Sequence, residues 1–357
     1  VNRESVLVTG GAGFVGSNLA MKLKKDNPSR RIVALDNLKR RGSELNISRL
    51  AEAGVEFVHG DIRNKEDFPD EPFGLVLECS AEPSVTAGYS GSAEYLINTN
   101  LAGTINCLEL ARRHASDFVF LSTSRVYPMA KLSNLRYSEG DTRLHLDDEQ
   151  PYAGASGDGI SEEFPMGGAR SLYGATKFAS EMFVEEYREA YGMRAVVNRC
   201  GVVTGPWQMG KVDQGVFALW MARHYFKAGN LSYIGYGGEG KQVRDLLHID
   251  DLFDLVKLQT HDLDAFDGGT FNVGGGKETS LSLAETTELC REITGNEIKI
   301  GSDPETRQAD IPVYITDHGK ITDLCGWCPK RGAEETMKDI HAWIEANEPL
   351  VKRTLTS

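Results

Sequence analysis

Tyr173 and Lys177 stand four residues apart in Tyr173-Gly-Ala-Thr-Lys177, near the start of an amphipathic stretch from Leu172 to Tyr191. On a helix that spacing puts both side chains on one face, one turn apart. An ammonium beside a phenol favours phenolate and lowers the tyrosine pKa from about 10. Such a base takes the proton from a hydroxyl while hydride leaves the same carbon. Thr123 closes the strand-like run Phe118-Val-Phe-Leu121 and offers a hydroxyl to hold the same substrate oxygen. A Tyr-x-x-x-Lys is common on helices, so the reading depends on what accompanies it.

Its companion is Gly10-Gly-Ala-Gly13-Phe14-Val15-Gly16, between a strand-like and a helix-like segment. Gly10, Gly13 and Gly16 permit a tight turn and close approach of a pyrophosphate to backbone N–H groups at a helix N-terminus. Asp36 ends the next strand-like run roughly 20 residues on, where a carboxylate grips the adenosine ribose hydroxyls of a nicotinamide dinucleotide. A 2′-phosphate beside Asp36 would be repelled, which favours NAD over NADP. Lys39, Arg40 and Arg41, just behind, keep NADP open. Asp61-Ile62, after the third run, suits an adenine contact, and a helix N-cap equally.

Positioning these groups takes a particular scaffold. Val6–Thr9, Ile32–Leu35, Val55–Val58, Leu75–Leu77 and Phe118–Leu121 read as strands, with helical patterns at Phe14–Lys25 and Ala93–His114 between them. That alternation predicts a Rossmann-type α/β fold, a doubly wound parallel sheet with chemistry at the strands' carboxyl ends. Residues 128–170, rich in Gly, Asp, Glu and Ser, read as a long loop or excursion over the site. The expected division is a dinucleotide-binding domain over 1–200 and a smaller C-terminal substrate lobe over 201–357. A late strand-helix return, Gly269–Val273 and Leu283–Ile293, comes back to the first domain.

Composition narrows the partners. A net charge of −13 argues against nucleic acid, whose phosphates need clustered Lys and Arg. No apolar run approaches the ~20 residues that cross a bilayer. No signal peptide is read in Val1–Glu4, and the six scattered cysteines read as reduced thiols of a cytoplasmic protein. Cys325-Gly-Trp-Cys328 lacks a second pair at zinc spacing and reads as a turn between helices. No metal site is expected.

Together these motifs resemble the extended short-chain dehydrogenase/reductase family over nearly the whole chain. Asp36-Asn-Leu38, Asn100 before Ala-Gly-Thr, Gly240-Lys-Gln-Val-Arg-Asp245 and Phe271-Asn-Val-Gly-Gly275 are similar to its sugar-nucleotide-modifying members. The resemblance implies that Phe14, Val15, Asn37, Asp61, Ile62, Ser80, Ala81 and Asn100 border NAD. It implies a substrate site of Glu82, Thr123, Ser124, Arg125, Gln214, Arg244, Arg307 and Asp310. In it Arg244 meets a diphosphate, and Arg307 with Asp310 meets the nucleotide. Lys211-Val-Asp-Gln-Gly215 after Gly205-Pro-Trp-Gln208 is similar to epimerases acting at C2 of a CDP-hexose. The catalytic residues alone permit C4 equally.

Glu82-Pro83 and Val202-Val203 depart from the family's usual residues at positions that should border the sugar. Dehydratases and decarboxylases of the family carry a carboxylate after the threonine, whereas Ser124 and Arg125 follow Thr123, so an epimerase is expected. A reductase using free NADPH is disfavoured by Asp36. A non-catalytic NAD-sensing protein usually loses the Tyr or Lys kept here. A homo-oligomer, dimer or tetramer, is expected by analogy of fold.

Overall fold

The computed structural model describes residues 5–89, 91–210 and 214–356. The chain opens with strand β1 (Ser5–Thr9), helix α1 (Phe14–Asp26) and strand β2 (Arg31–Asp36). Helix α2 (Asn46–Glu52), strands β3 (Glu56–His59) and β4 (Leu75–Glu78), helices α3 (Glu94–Ile97) and α4 (Thr104–His114), and strand β5 (Asp117–Thr123) follow. β1 and β4 are buried throughout, as expected of strands covered on both faces.

These strands form a seven-stranded sheet in the order Thr270–Val273, Ala195–Cys200, β5, β4, β1, β2, β3. β1 pairs in parallel with β2 and β4, β2 with β3, and β4 with β5. Strand order therefore reverses between β1 and β4, the switch point outside which such sheets bind ligands. Leu7, Val76, Phe118 and Phe120 of the sheet share a core with Cys107, Leu108 and Ala111 of α4 and Val184 of the Leu172–Tyr191 helix. The Rossmann-type α/β fold is as the strand-helix alternation requires.

Two local expectations need correction. The stretch Ala93–His114 is not one helix, because a π-helical turn, Asn98–Gly103, separates α3 from α4. The wider turn brings Gly103 against Ile62, where any Cβ would crowd the isoleucine, and buries Asn100 completely. Residues 128–170 are not a bare loop. They hold a helix, Met129–Ser133, and antiparallel pairs Tyr137–Glu139 with Leu144–Leu146 and Ala155–Ser156 with Gly159–Ile160. Leu144 packs with Val243, Val313 and Ile315, and the Tyr127 hydroxyl donates to Asn272 Oδ1 at 2.7 Å. Apolar residues spaced among glycines supply this packing and were hidden by the polar composition.

The chain divides into two compact units. One comprises residues 5–126, 172–199 and 253–271 of the described chain, the other 127–171, 200–252 and 272–356. A single cut at 200 therefore misplaces the excursion, which groups with the second unit, and residues 253–271, which group with the first. In the second unit, Val243–His248 pairs in parallel with Val202–Thr204 and Val313–Tyr314, and antiparallel with Ser280–Ser282. Among the described residues no helix is long and apolar enough to cross a membrane, and no cluster of His, Cys, Asp and Glu could hold a metal ion.

Candidate active site

At the switch point, Gly10 follows β1 with φ +62°, and a Cβ there would stand 2.9 Å from the backbone of Cys79 and Ser80 after β4. A Cβ on Gly16 would overlap the Gly10 carbonyl oxygen. Only glycine lets these backbones approach so closely. Gly13 caps α1 without any side-chain cap, and the first turn carries no acidic residue. The positive end of the helix, at Phe14 and Val15, therefore carries no acidic side chain of its own. This cradle fits a dinucleotide pyrophosphate.

Asp36 closes the cradle. Its Oδ2 accepts the Ala12 N–H at 3.1 Å and its Oδ1 the Leu38 N–H at 2.8 Å. Burial pushes its carboxyl up, and these N–H groups pull it back. Carboxylate lone pairs beyond those two bonds suit ribose hydroxyls. Asn46, which no motif singles out, donates from Nδ2 to the Ala12 carbonyl at 2.8 Å.

At the expected adenine end, Asn37 Nδ2 donates to Asp61 Oδ2 at 2.9 Å, and Arg63 pairs with Asp61 at 2.7 Å. Burial raises the Asp61 carboxyl, but Arg63 and Asn37 outweigh it and hold it down to about 2. Ile62 points into the sheet core, and its carbonyl accepts from Asn106 Nδ2 at 2.9 Å. Lys39 Nζ lies 3.8 Å from the Tyr95 ring centroid, an aromatic face rather than an open phosphate pocket.

The catalytic candidates share one unit. Thr123 ends β5 and is nearly buried, and its Oγ1 accepts the Arg125 N–H at 3.2 Å. Tyr173 and Lys177 are buried on the Leu172–Tyr191 helix. Glu181, one turn further along, is a residue missed from sequence. It accepts the Ser122 hydroxyl and both arms of Arg199, at 3.1 and 2.7 Å. This buried carboxylate ties the helix that carries Tyr173 to β5 and to Ala195–Cys200. The i, i+4, i+8 spacing of Tyr173, Lys177 and Glu181 was its only sequence signal.

Asn100 acts as a clamp. Its amide accepts the Glu82 N–H at 2.7 Å and donates to the Glu82 carbonyl at 3.1 Å and to Thr176 Oγ1 at 3.3 Å. It thereby fixes the segment after β4 that carries Ser80, Ala81 and Glu82. Ser80 and Ser124 are nearly buried, while Ala81 is exposed. A second missed residue is Glu78, at the end of β4, 3.7 Å from Lys177 Nζ.

In the second unit, Arg244 Nη2 donates to Asp310 Oδ1 at 2.9 Å and to the Ile311 carbonyl at 2.6 Å. Asp310 thus pairs with Arg244. Arg307 is exposed and meets Asp310 only through its carbonyl, which accepts the Asp310 N–H at 3.2 Å. Gln214 Oε1 is buried with no hydrogen-bond partner among the described residues, which suits a group awaiting a ligand. Lys211, Val212 and Asp213 of the same motif lie outside the described residues. Cys325 ends a helix and Cys328 lies in the connection to the next, and none of the six cysteines is in a disulfide.

The profile of the NAD dependent epimerase/dehydratase family matches residues 6–274. A CDP-paratose 2-epimerase of Salmonella typhi is 31% identical over 96% of this chain and 99% of its own. A dTDP-glucose 4,6-dehydratase of Salmonella typhimurium is 27% identical over 96% and 93%. Among solved structures, a UDP-glucose 4-epimerase of Thermus thermophilus in complex with NAD superposes with a TM-score of 0.76. It is 26% identical, over 96% of this chain and 99% of that one.

Proposed function

The chain belongs to the NAD dependent epimerase/dehydratase family, and from that premise we propose that it epimerises a nucleotide-linked sugar, at C2 of a CDP-hexose. The observation that carries the chemistry is the set Thr123, Tyr173 and Lys177, buried in one unit with no carboxylate following Thr123. The CDP-hexose and the C2 position are supported by the likeness to the CDP-paratose 2-epimerase and by Gln214 and Arg244.

Gly10, Gly13, Gly16, Phe14 and Val15 hold the pyrophosphate of NAD, Asp36 the ribose, and Asn37 and Asp61 the adenine rim. When bound, the nicotinamide supplies a hydride acceptor that can return what it takes. Tyr173 removes the hydroxyl proton, and Lys177 favours its phenolate. Thr123 holds the substrate oxygen as it becomes a carbonyl. The keto-sugar turns before it is reduced. Tyr173 then returns the proton as the carbon is reduced on its opposite face, leaving no net redox change.

We also read the exposed Met182 and Phe183 of the Leu172–Tyr191 helix, with Ile97 of α3, as part of a homo-oligomer face. Six cysteines, none of them in a disulfide, support a cytoplasmic site of action.

The test uses CDP-hexoses deuterated separately at C2 and C4. An isotope effect at C2, with the label kept in the inverted product, is expected. Solvent deuterium at the inverted carbon would rule out hydride return. An isotope effect only at C4 would remove the 2-epimerase assignment.

A further inference from the structure

Glu78 is fully buried at the end of β4, and no step above uses it. Its Oε2 lies 3.7 Å from Lys177 Nζ, and neither side chain is more than 1% exposed. Its Oε1 accepts the Ser80 N–H at 3.0 Å. Lys177 Nζ also sits 3.9 Å from the centroid of the Phe120 ring on β5. The other groups bordering the carboxylate are the Thr9 hydroxyl of β1 and the Cys107 thiol of α4. Burial pushes that thiol well up, so it stays neutral. Burial likewise pushes the Glu78 carboxyl up, and the charge of Lys177 pulls it back. On balance the Glu78 carboxyl is held above its ordinary value, and the Lys177 side chain is the cationic group set against it across 3.7 Å.

An ammonium this deeply buried sheds its proton unless an anion compensates it. A neutral Lys177 could not favour phenolate at Tyr173, one helical turn away. We propose that Glu78 is a positioning residue, the buried counter-ion that holds Lys177 in place as an ammonium and so keeps Tyr173 titrating in the working range. The inference rests on Tyr173 and Lys177 being the acid–base pair of the proposed reaction.

The test follows the Tyr173 phenolate by absorbance against pH, as the difference between the full chain and its Tyr173→Phe variant, alongside the pH profile of kcat. In Glu78→Gln the Tyr173 midpoint should rise by about one pH unit or more, with kcat below the new midpoint falling about tenfold and KM for the sugar nucleotide unchanged. In a Lys177→Met background, Glu78→Gln should move the midpoint no further. A folded Glu78→Gln chain whose Tyr173 midpoint stays or falls overturns the proposal. Should Glu78→Gln fail to fold, Glu78→Asp carries the test. Its shorter side chain loosens the pair, so an upward shift supports the role and an unmoved midpoint overturns it. Absence of any Tyr173 phenolate step in the unaltered chain would overturn the acid–base reading itself. A step that is present but insensitive to Glu78 would overturn the counter-ion alone.

Discussion

Arg244 and Asp310 meet at 2.9 Å, and the same guanidinium donates to the carbonyls of Val243 and Ile311 at 2.7 and 2.6 Å. The guanidinium is thus held by this chain's own groups, in the orientation proposed to meet a diphosphate. Arg244→Ala should weaken sugar-nucleotide binding by about 1.5–3 kcal/mol, the worth of a charge-assisted contact. Asp310→Asn, which leaves the charge but loosens its aim, should cost less. Calorimetric titration with a CDP-sugar measures both. An unchanged dissociation constant in Arg244→Ala would take the residue out of the site.

Tyr173→Phe removes the proposed acid–base hydroxyl and leaves the ring in its buried seat. Turnover should fall about 10²–10⁴-fold, while NAD remains with the purified chain. The paired measurements are kcat and the NAD released on denaturation. Retained turnover would assign the proton transfer elsewhere.

Asp36 accepts N–H groups from both Ala12 and Leu38, so it shapes the cradle in addition to the ribose contact proposed for it. Asp36→Ala should weaken NAD binding and narrow the preference over NADP. Competitive titration of the two dinucleotides reads this. Tighter binding of NADP by the unaltered chain would contradict the role given to the carboxylate.

Asp61 links folding to acid. Burial alone would raise its carboxyl, but Arg63 and Asn37 hold it down to about 2, against an ordinary 3.8. A carboxylate depressed on folding stabilises above its unfolded pKa and loses that contribution as pH falls through the folded value. The Tm gap between the unaltered chain and Asp61→Asn should therefore be full at about pH 5 and shrink towards about pH 2. Thermal melts across this range decide it, and a constant gap would dismiss the Asp61–Arg63 pair as a source of stability.

Features that depend on near neighbours in sequence are legible in the sequence itself. Strand-helix alternation demanded a parallel sheet, Gly10–Gly16 marked its first turn, and Asp36 fell at the end of the next strand. Tyr173 and Lys177 needed only helical spacing to share a face. Partners remote in the chain were not legible, because periodicity says which face a residue occupies and not what lies across from it. Asp310 meets Arg244 across 66 positions, and Asn46 meets Ala12 across 34. Glu78 showed only as an acid ending an apolar run, and Glu181 only as one more helical glutamate. Burial makes them matter, since a charge removed from water must find its counter-charge or change its protonation. Tertiary packing alone decides that Lys177 has Glu78 and that Arg199 has Glu181. It also draws residues 127–171 into the second unit, where their scattered apolar side chains find a core that composition could not reveal.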